Sequence, residues 1–275
     1  MKFHDVSLLF FERVYSAGTL QDLINAYILE GQQSGVNELL ALHYASHLLK
    51  ILMSLNEANI LHADIKPDNI MLTEEGVKGL FFFLKKKSFL SIHCYFFIIK
   101  GLALIDFGRS IDRTVYRKGT KFSGDFHCTN FKCLEMQENR PWTIHIDCYG
   151  ACSTLYMMLF GEYLTTRFEF GNSAAAGEAG DNPCHNNGKE QYYRRPTKNP
   201  KRYWQTLIWN RVFFALLNVD MLSGDGLFWK EIDDISKSIA DFFSRNLKHK
   251  QRLGSILANQ KKLLDSHSKR KKINL

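Results

Sequence analysis

The stretch ILHADIKPDNIML, Ile60 to Leu72, constrains this chain more than any other. Both ends are apolar and so belong to a core, while the middle offers the Asp64 carboxylate, the Lys66 ammonium and the Asn69 amide within six positions. Such a cluster is costly to hold beside a core unless it does chemistry. The segment before it has a clear period: in Gly35 to Ile60, Leu39, Leu42, Ala45, Leu48, Leu49, Leu52 and Leu55 recur at helical spacing, which predicts a long amphipathic helix. On its other side, Asn69 to Leu72 and Leu102 to Ile105 each read as a short strand, and Asp106-Phe107-Gly108 comes directly after the second.

The remaining organisation is that of a folded chain. Val6 to Tyr15 is apolar enough for a buried strand, and Thr19 can cap a helix starting near Leu20. Ile146 to Phe160 is apolar nearly all round, hence a deeply buried helix, and Phe170 to Gln191 reads as a loose loop. With 275 residues, 45% hydrophobic and 23% charged, the composition excludes a disordered chain. Part of the net charge of +8 sits in Lys261 to Leu275, a basic tail read as a frayed, solvated end or else a nuclear-import or anion-binding patch. Six cysteines without CxxC pairs read as reduced thiols rather than a zinc site. The start, MKFHDVSLLFFERV, carries charges through its short apolar core and is not read as a signal peptide. Phe89 to Ile99 is only eleven residues with a His inside, against the about 20 apolar residues a bilayer span needs, so no membrane partner is expected.

The polar cluster has a chemical reading. A hydroxyl attacking a phosphoryl group needs a carboxylate to accept or orient its proton, a cation for the developing charge, and oxygen ligands for metals that bridge the phosphates. Asp64 can be the base, Lys66 can meet the transferred phosphate, and Asn69 and Asp106 can each bind a metal. The spacing from Asp64 to Asn69 matches D-x-x-x-x-N, and Asp106-Phe107-Gly108 matches the metal-binding D-F-G. A lone D-F-G is weak evidence; both motifs in this order are strong.

On these motifs the chain resembles the C-terminal lobe of a serine/threonine protein kinase, with Lys66 two positions after the catalytic Asp as in the serine/threonine form. More narrowly it resembles the Bub family of mitotic spindle-checkpoint kinases. The stretches HADIKPDNIML, LALIDFGRSID followed by KGTKF, FKCLEM, and PWTIHIDCYGACSTLYMMLFG carry that likeness, which is best from Leu61 to Gly161. The resemblance implies an α+β, protein-kinase-like fold: a mainly helical large lobe (18–260), only a remnant of the small lobe and the hinge (1–17), and the basic tail (261–275). It implies ATP and Mg as cofactors, with Phe11, Glu12, Val14, Leu72 and Ile105 around the nucleotide, and an exposed apolar cleft face carrying Val14, Tyr15, Leu72 and Ile105. Glu135 is then the acid closing the activation segment, and Asp147 holds the catalytic-loop backbone. Implied partners are a protein substrate, a histone tail among the candidates, and kinetochore checkpoint proteins, without direct nucleic-acid contact. The implied location is the nucleus and kinetochore, or the cytoplasm.

Three departures qualify the likeness. Ala63 stands where many kinases have an Arg that pairs with an activation-loop phosphate, so ordering by that route is unavailable, and Arg109 or Arg113 are the nearby substitutes. No G-x-G-x-x-G precedes Asp64, and Lys2 is too close to the hinge strand to serve as the small-lobe Lys. That keeps open a second reading, a catalytically inactive kinase-like fragment acting as a kinetochore binding module. Finally, Gly79 to Lys100 is unlike its surroundings. Without it the chain reads MLTEEGVKGLALIDFG, a compact hairpin turning at EEG, with Asn69 and Asp106 15 positions apart instead of 37. The stretch reads as a translated intron, or else as a genuine inserted flap.

Overall fold

The computed structural model describes residues 2–3, 6–7, 18–29, 35–73, 97–99, 101–124, 131–171, 191–222 and 226–273. Strands β1 (Lys2–Phe3) and β2 (Val6–Ser7) pair antiparallel. The expected strand is therefore seen only at Val6 and Ser7; Phe10 to Tyr15, with Phe11, Glu12 and Val14, lies outside the described residues.

Helix α1 (Leu20–Leu29) begins where Thr19 predicts. The Thr19 hydroxyl accepts from the Asp22 N–H at 3.2 Å, and the Asp22 carboxylate accepts from the Thr19 N–H at 3.0 Å. Two donors that a helix start leaves orphaned are thus satisfied reciprocally. Helix α2 (Glu38–Glu57) is capped by Asn37, whose side chain accepts from the Leu39 N–H at 3.0 Å. All seven apolar positions picked out by its spacing are buried.

After α2 come β3 (Ile60–Leu61), β4 (Ile70–Leu72), β5 (Phe97–Ile99), β6 (Leu102–Leu104) and β7 (Ile111–Asp112). β4 and β6 pair antiparallel as the expected hairpin, with Ile70 opposite Leu104 and Leu72 opposite Leu102. β5 adds to the other edge of β6, and β3 pairs with β7. The stretch read as an insertion thus supplies a strand at Phe97–Ile99; 74–96 lies outside the described residues.

Short helix α3 (Leu134–Gln137) leads to α4 (His145–Phe160), which is buried over 15 consecutive residues, His145 to Leu159, as its all-round apolarity predicts. Two glycines let it sit so deep. A Cβ on Gly150 would lie 2.4 Å from the Ile65 carbonyl oxygen, and one on Gly35 would lie 2.2 Å from that of Met158. The helix therefore touches the catalytic-loop backbone at one place and the approach to α2 at another. Beyond it run a two-stranded ribbon, β8 (Thr166–Gly171) and β9 (Gln191–Pro196), and helices α5 (Thr206–Leu217), α6 (Leu227–Arg245) and α7 (Leu247–Ile273).

Two expectations are corrected by these elements. The loose loop predicted for Phe170 to Gln191 has strand at both ends, because Phe170 pairs with Tyr192 and Gly171 with Gln191; 172–190 lies outside the described residues. The basic tail is not a frayed end from Lys261 to Ile273 but the continuation of α7. The reason is packing: Leu253 and Leu264 are buried against the core, Ile256, Leu257 and Leu263 pack beside them, and Tyr44 on α2 donates to Gln260 at 2.8 Å. Among the described residues no helix is long and apolar enough to cross a membrane.

Candidate active site

The loop between β3 and β4 is built around one buried carboxylate. Asp147, in the first turn of α4, is 3% exposed. Its two oxygens accept from the backbone N–H groups of His62 and Ala63, each at 2.8 Å. Burial pushes its pKa up to about 6, against the two hydrogen bonds, which favour the ionised form. This clamp holds Ala63 at φ 62°, a left-handed conformation that costs an alanine roughly 1–2 kcal/mol.

His62 joins the two motifs. Its Nδ1 accepts from the Asp64 N–H at 3.3 Å, so the ring proton is on Nε2, which donates to the Ile105 carbonyl at 2.9 Å. Burial pushes its pKa down to about 4, which keeps the ring neutral and this tautomer in place. The Phe107 ring of D-F-G packs edge-on against it, 4.6 Å between centroids.

Asp64 is 8% exposed and densely held. Its Oδ2 accepts from Lys66 Nζ at 2.8 Å and from Asn69 Nδ2 at 2.9 Å, and the same Asn69 amide donates to the Asp64 carbonyl at 2.9 Å. Its Oδ1 faces Arg109 Nη1 at 3.8 Å. Asp64, Lys66 and Asn69 are thus brought together as the sequence predicts. Asp106 follows β6 in a left-handed conformation, φ 61° and ψ 68°, with its carboxylate accepting from the Gly108 N–H at 3.3 Å. Asp106 is exposed, whereas Asn69 is buried. The oxygen donors present, one amide and one free-standing carboxylate beside a held base, are of the kind Mg takes.

Strand parity corrects one expected nucleotide contact. Leu72 is 1% exposed, so it is not on an open cleft face. Ile70 and Leu72 face Leu104 and Leu102 in the core, and the opposite face of the hairpin carries Met71, with half-buried Ile105 further along the same side. Side chains alternate along a strand, so the residue sharing Ile105's side is Met71, one position away from the one the sequence suggested. Counting parity from Asn69 would have found it. Of the suggested Arg substitutes, Arg109 lies by Asp64, while Arg113 donates to the carbonyl and side chain of Asn56 at 3.2 and 2.9 Å. Glu135 on α3 is buried and accepts from Arg140 at 3.3 Å.

Comparison with known proteins agrees with this geometry. A protein kinase domain family model matches residues 2–260. The mitotic checkpoint serine/threonine-protein kinase BUB1 of Arabidopsis thaliana is 31% identical over 248 residues, 90% of this chain and 42% of that protein. The spindle assembly checkpoint serine/threonine-protein kinase bub1 of Schizosaccharomyces pombe is 33% identical over 217 residues, 78% of this chain and 19% of its own length. The crystal structure of the BubR1 kinase domain shares the fold with a TM-score of 0.64 at 23% identity, over 92% of this chain and 62% of that one. The chain belongs to the protein kinase family. Within it, the chain is a Bub-like kinase domain that spans less than half the length of these curated relatives.

Proposed function

We propose that the chain is the large-lobe part of an ATP- and Mg-dependent serine/threonine kinase of the spindle checkpoint, passing the terminal phosphate of ATP to protein hydroxyls. In this reading 1–17 is the small-lobe remnant and hinge, 18–260 the large lobe and 261–275 its basic extension. One observation carries it: Asp64 has one oxygen tied to Lys66 and Asn69 and the other turned to the side where Arg109 stands. A base so held can orient an incoming hydroxyl without first reorganising. Lys66 would meet the transferred phosphate, and Asn69 and Asp106 would hold Mg, which when bound would neutralise the phosphate charge. Met71 and Ile105 would line the adenine site, and the sequence-based assignment adds Phe11, Glu12 and Val14 of the hinge segment to it. A histone tail is one candidate substrate and kinetochore checkpoint proteins are candidate partners, with the nucleus and kinetochore as the place of action.

The test uses this chain and a chimera carrying the small lobe of a Bub-like relative. Asp64→Asn should keep Mg-ATP binding and lose transfer; Asp106→Ala should lose both. Transfer by Asp64→Asn above an Asp64→Asn/Asp106→Ala control rules out Asp64 as base. The second reading is an inactive binding module. It predicts that the chimera transfers no phosphate even with Mg-ATP bound.

A further inference from the structure

The two-stranded ribbon beyond α4 has one closed edge and one open edge. β8 and β9 form a sheet of their own, with Phe168 opposite Arg194 and Phe170 opposite Tyr192. On the outer side of β9 the buried Asn218 side chain takes both backbone groups of Arg194. Its oxygen accepts from the Arg194 N–H at 2.7 Å, and its amide donates to the Arg194 carbonyl at 3.0 Å. Pro196, which has no N–H to offer, ends the strand. In an antiparallel pair, residues that exchange hydrogen bonds alternate with residues that turn these groups outward. Arg194 commits its groups to Asn218, so Phe168 opposite it turns its own N–H and carbonyl to the outer edge of β8, and so do Thr166 and Phe170. The Thr197 N–H, donating to the Thr165 carbonyl at 2.9 Å, fits the same alternation. Among the described residues no hydrogen bond engages these outward groups of β8.

The side chains along the open edge are apolar and held in place. Phe168, Phe170 and Tyr192 share one face and are 60%, 54% and 65% exposed. The Phe170 and Tyr192 rings lie 4.9 Å apart between centroids. The Arg194 guanidinium sits 3.5 Å over the Phe168 ring and pairs with Glu138. On the other face Tyr193 is buried and packs on Phe214 of α5, which seats the ribbon on the helical core. The ribbon's other cations have carboxylates: Arg195 has Glu169 at 2.7 Å, and Lys198 has Glu162. Arg167 is exposed and donates to two neutral oxygens, of Thr197 and Asn199, each at 3.3 Å. Among the described residues no ion pair engages it.

An open strand edge is a template for another extended chain, and folded proteins blunt such edges with Pro, Lys or a bulge. β8, TRFEFG, carries none of these. A third strand bonded to Thr166, Phe168 and Phe170 sets every second side chain beside the aromatic face, and the residues between them face Arg167 and Glu169. Glu169 is already held by Arg195 and by the Tyr193 hydroxyl at 3.2 Å, so Arg167 is the charge left to select a partner. We infer that β8 is a docking edge that takes an extended segment of a partner protein as a third strand, with β-branched or aromatic residues at alternate positions and a carboxylate between them opposite Arg167. The edge uses no residue of the catalytic loop, so the inference stands apart from the kinase reading.

The experiment is fluorescence anisotropy on the whole chain with three labelled peptides. One is Val-Thr-Val-Glu-Val between Ser-Gly ends, which read antiparallel to β8 sets its Glu opposite Arg167; another has Lys for Glu, and the third has Pro for the central Val. The Glu peptide should bind saturably. An exposed ion pair is weak, so Lys for Glu should weaken binding by about fivefold. Pro removes an N–H and the strand geometry and should weaken it by about tenfold or more. Arg167→Glu, a surface change, should reverse the order of the Glu and Lys peptides. Phe168→Pro should abolish binding with the circular dichroism unchanged, because the Phe168 N–H faces outward and the bonds to β9 do not need it. If Phe168→Pro unfolds, Arg167→Glu decides. No saturable binding, equal binding of the Glu and Pro peptides, or an Arg167→Glu variant that keeps the original order overturns the inference. So does sedimentation showing that the chain alone forms a dimer that Arg167→Glu or Phe168→Pro undoes, because the edge then belongs to a second copy.

Discussion

The catalytic loop and the Asp106 turn stand side by side and are built on opposite plans. His62 to Asn69 is tied from beneath by Asp147 and internally by Asn69 and Lys66, and apart from Asp68 and the Lys66 head group it is shielded from water. Asp106 is exposed, and its carboxylate accepts from its own turn, at Gly108. The two meet through His62, which reaches the Ile105 carbonyl and the Phe107 ring, and through the Asn69 carbonyl, which accepts from the Ile105 N–H at 2.9 Å. In the proposed reading Asp64 is a base that must be aimed before its substrate arrives, which suits a geometry fixed by the core. In the same reading Asp106 is a metal ligand, which would complete its geometry with the ion and can stand in water until then. The comparison predicts that damage to the loop spreads into the fold, whereas damage at Asp106 stays local.

The largest expected effect is on chemistry. Asp64→Asn keeps the shape of the buried side chain and should lower phosphate transfer by the roughly 10²–10⁴-fold that general-base catalysis supplies, with little change in melting temperature. Removing the clamp should instead strike stability. Asp147→Ala leaves the His62 and Ala63 N–H groups buried without acceptors, at about 1–3 kcal/mol each, so urea denaturation should show a loss of about 2–6 kcal/mol. An equal loss in Asp106→Ala would break the comparison.

A pH series sharpens it. His62 and His43, both pushed down to about 4 from 6.5 by burial, are neutral in the fold while the unfolded chain takes up protons below 6.5. Their stabilising contribution is complete above pH 6.5 and is lost as pH falls toward 4. Asp147 runs the other way. Pushed up to about 6 from 3.8, it stabilises fully below 3.8 and loses that contribution as pH rises through 6. Between pH 4 and 6 it offsets one of the two histidines. Asp147→Asn should therefore steepen the loss of stability on acidification, by about 1.4 kcal/mol per pH unit in that window. An unchanged slope in urea titrations would refute the opposed pair. The smallest effect tests the strain that the clamp holds: Ala63→Gly, at φ 62°, should raise stability by about 1 kcal/mol in the same assay.

Much of the site was legible because the chemistry is local in sequence. Asp64, Lys66 and Asn69 lie within six positions, and a loop that short between two buried elements leaves its polar groups few partners but each other. The cap of α1, the span of α2 and the burial of α4 were legible for the same reason, since capping and periodicity are properties of a dozen neighbouring residues. The failures lie where one position or a distant partner decides. Leu72 was assigned to the cleft and Met71 missed, because a strand turns every side chain over with a shift of one residue. The Lys261 to Ile273 segment reads as solvated by its charge, and only the helices it lies against give Leu264 a place to be buried.

By itself, then, the amino-acid order determined which candidate reacting groups come together and the elements that carry them, since residue type and spacing are enough for both. It could not decide that Arg109 would stand beside Asp64, that Arg113 would turn away to Asn56, or that Phe122 would pair its backbone with Trp142. Those outcomes join residues about 20 to 60 positions apart, and they depend on how β7 lies on β3 and where α4 enters the core, which is settled only when the whole chain packs.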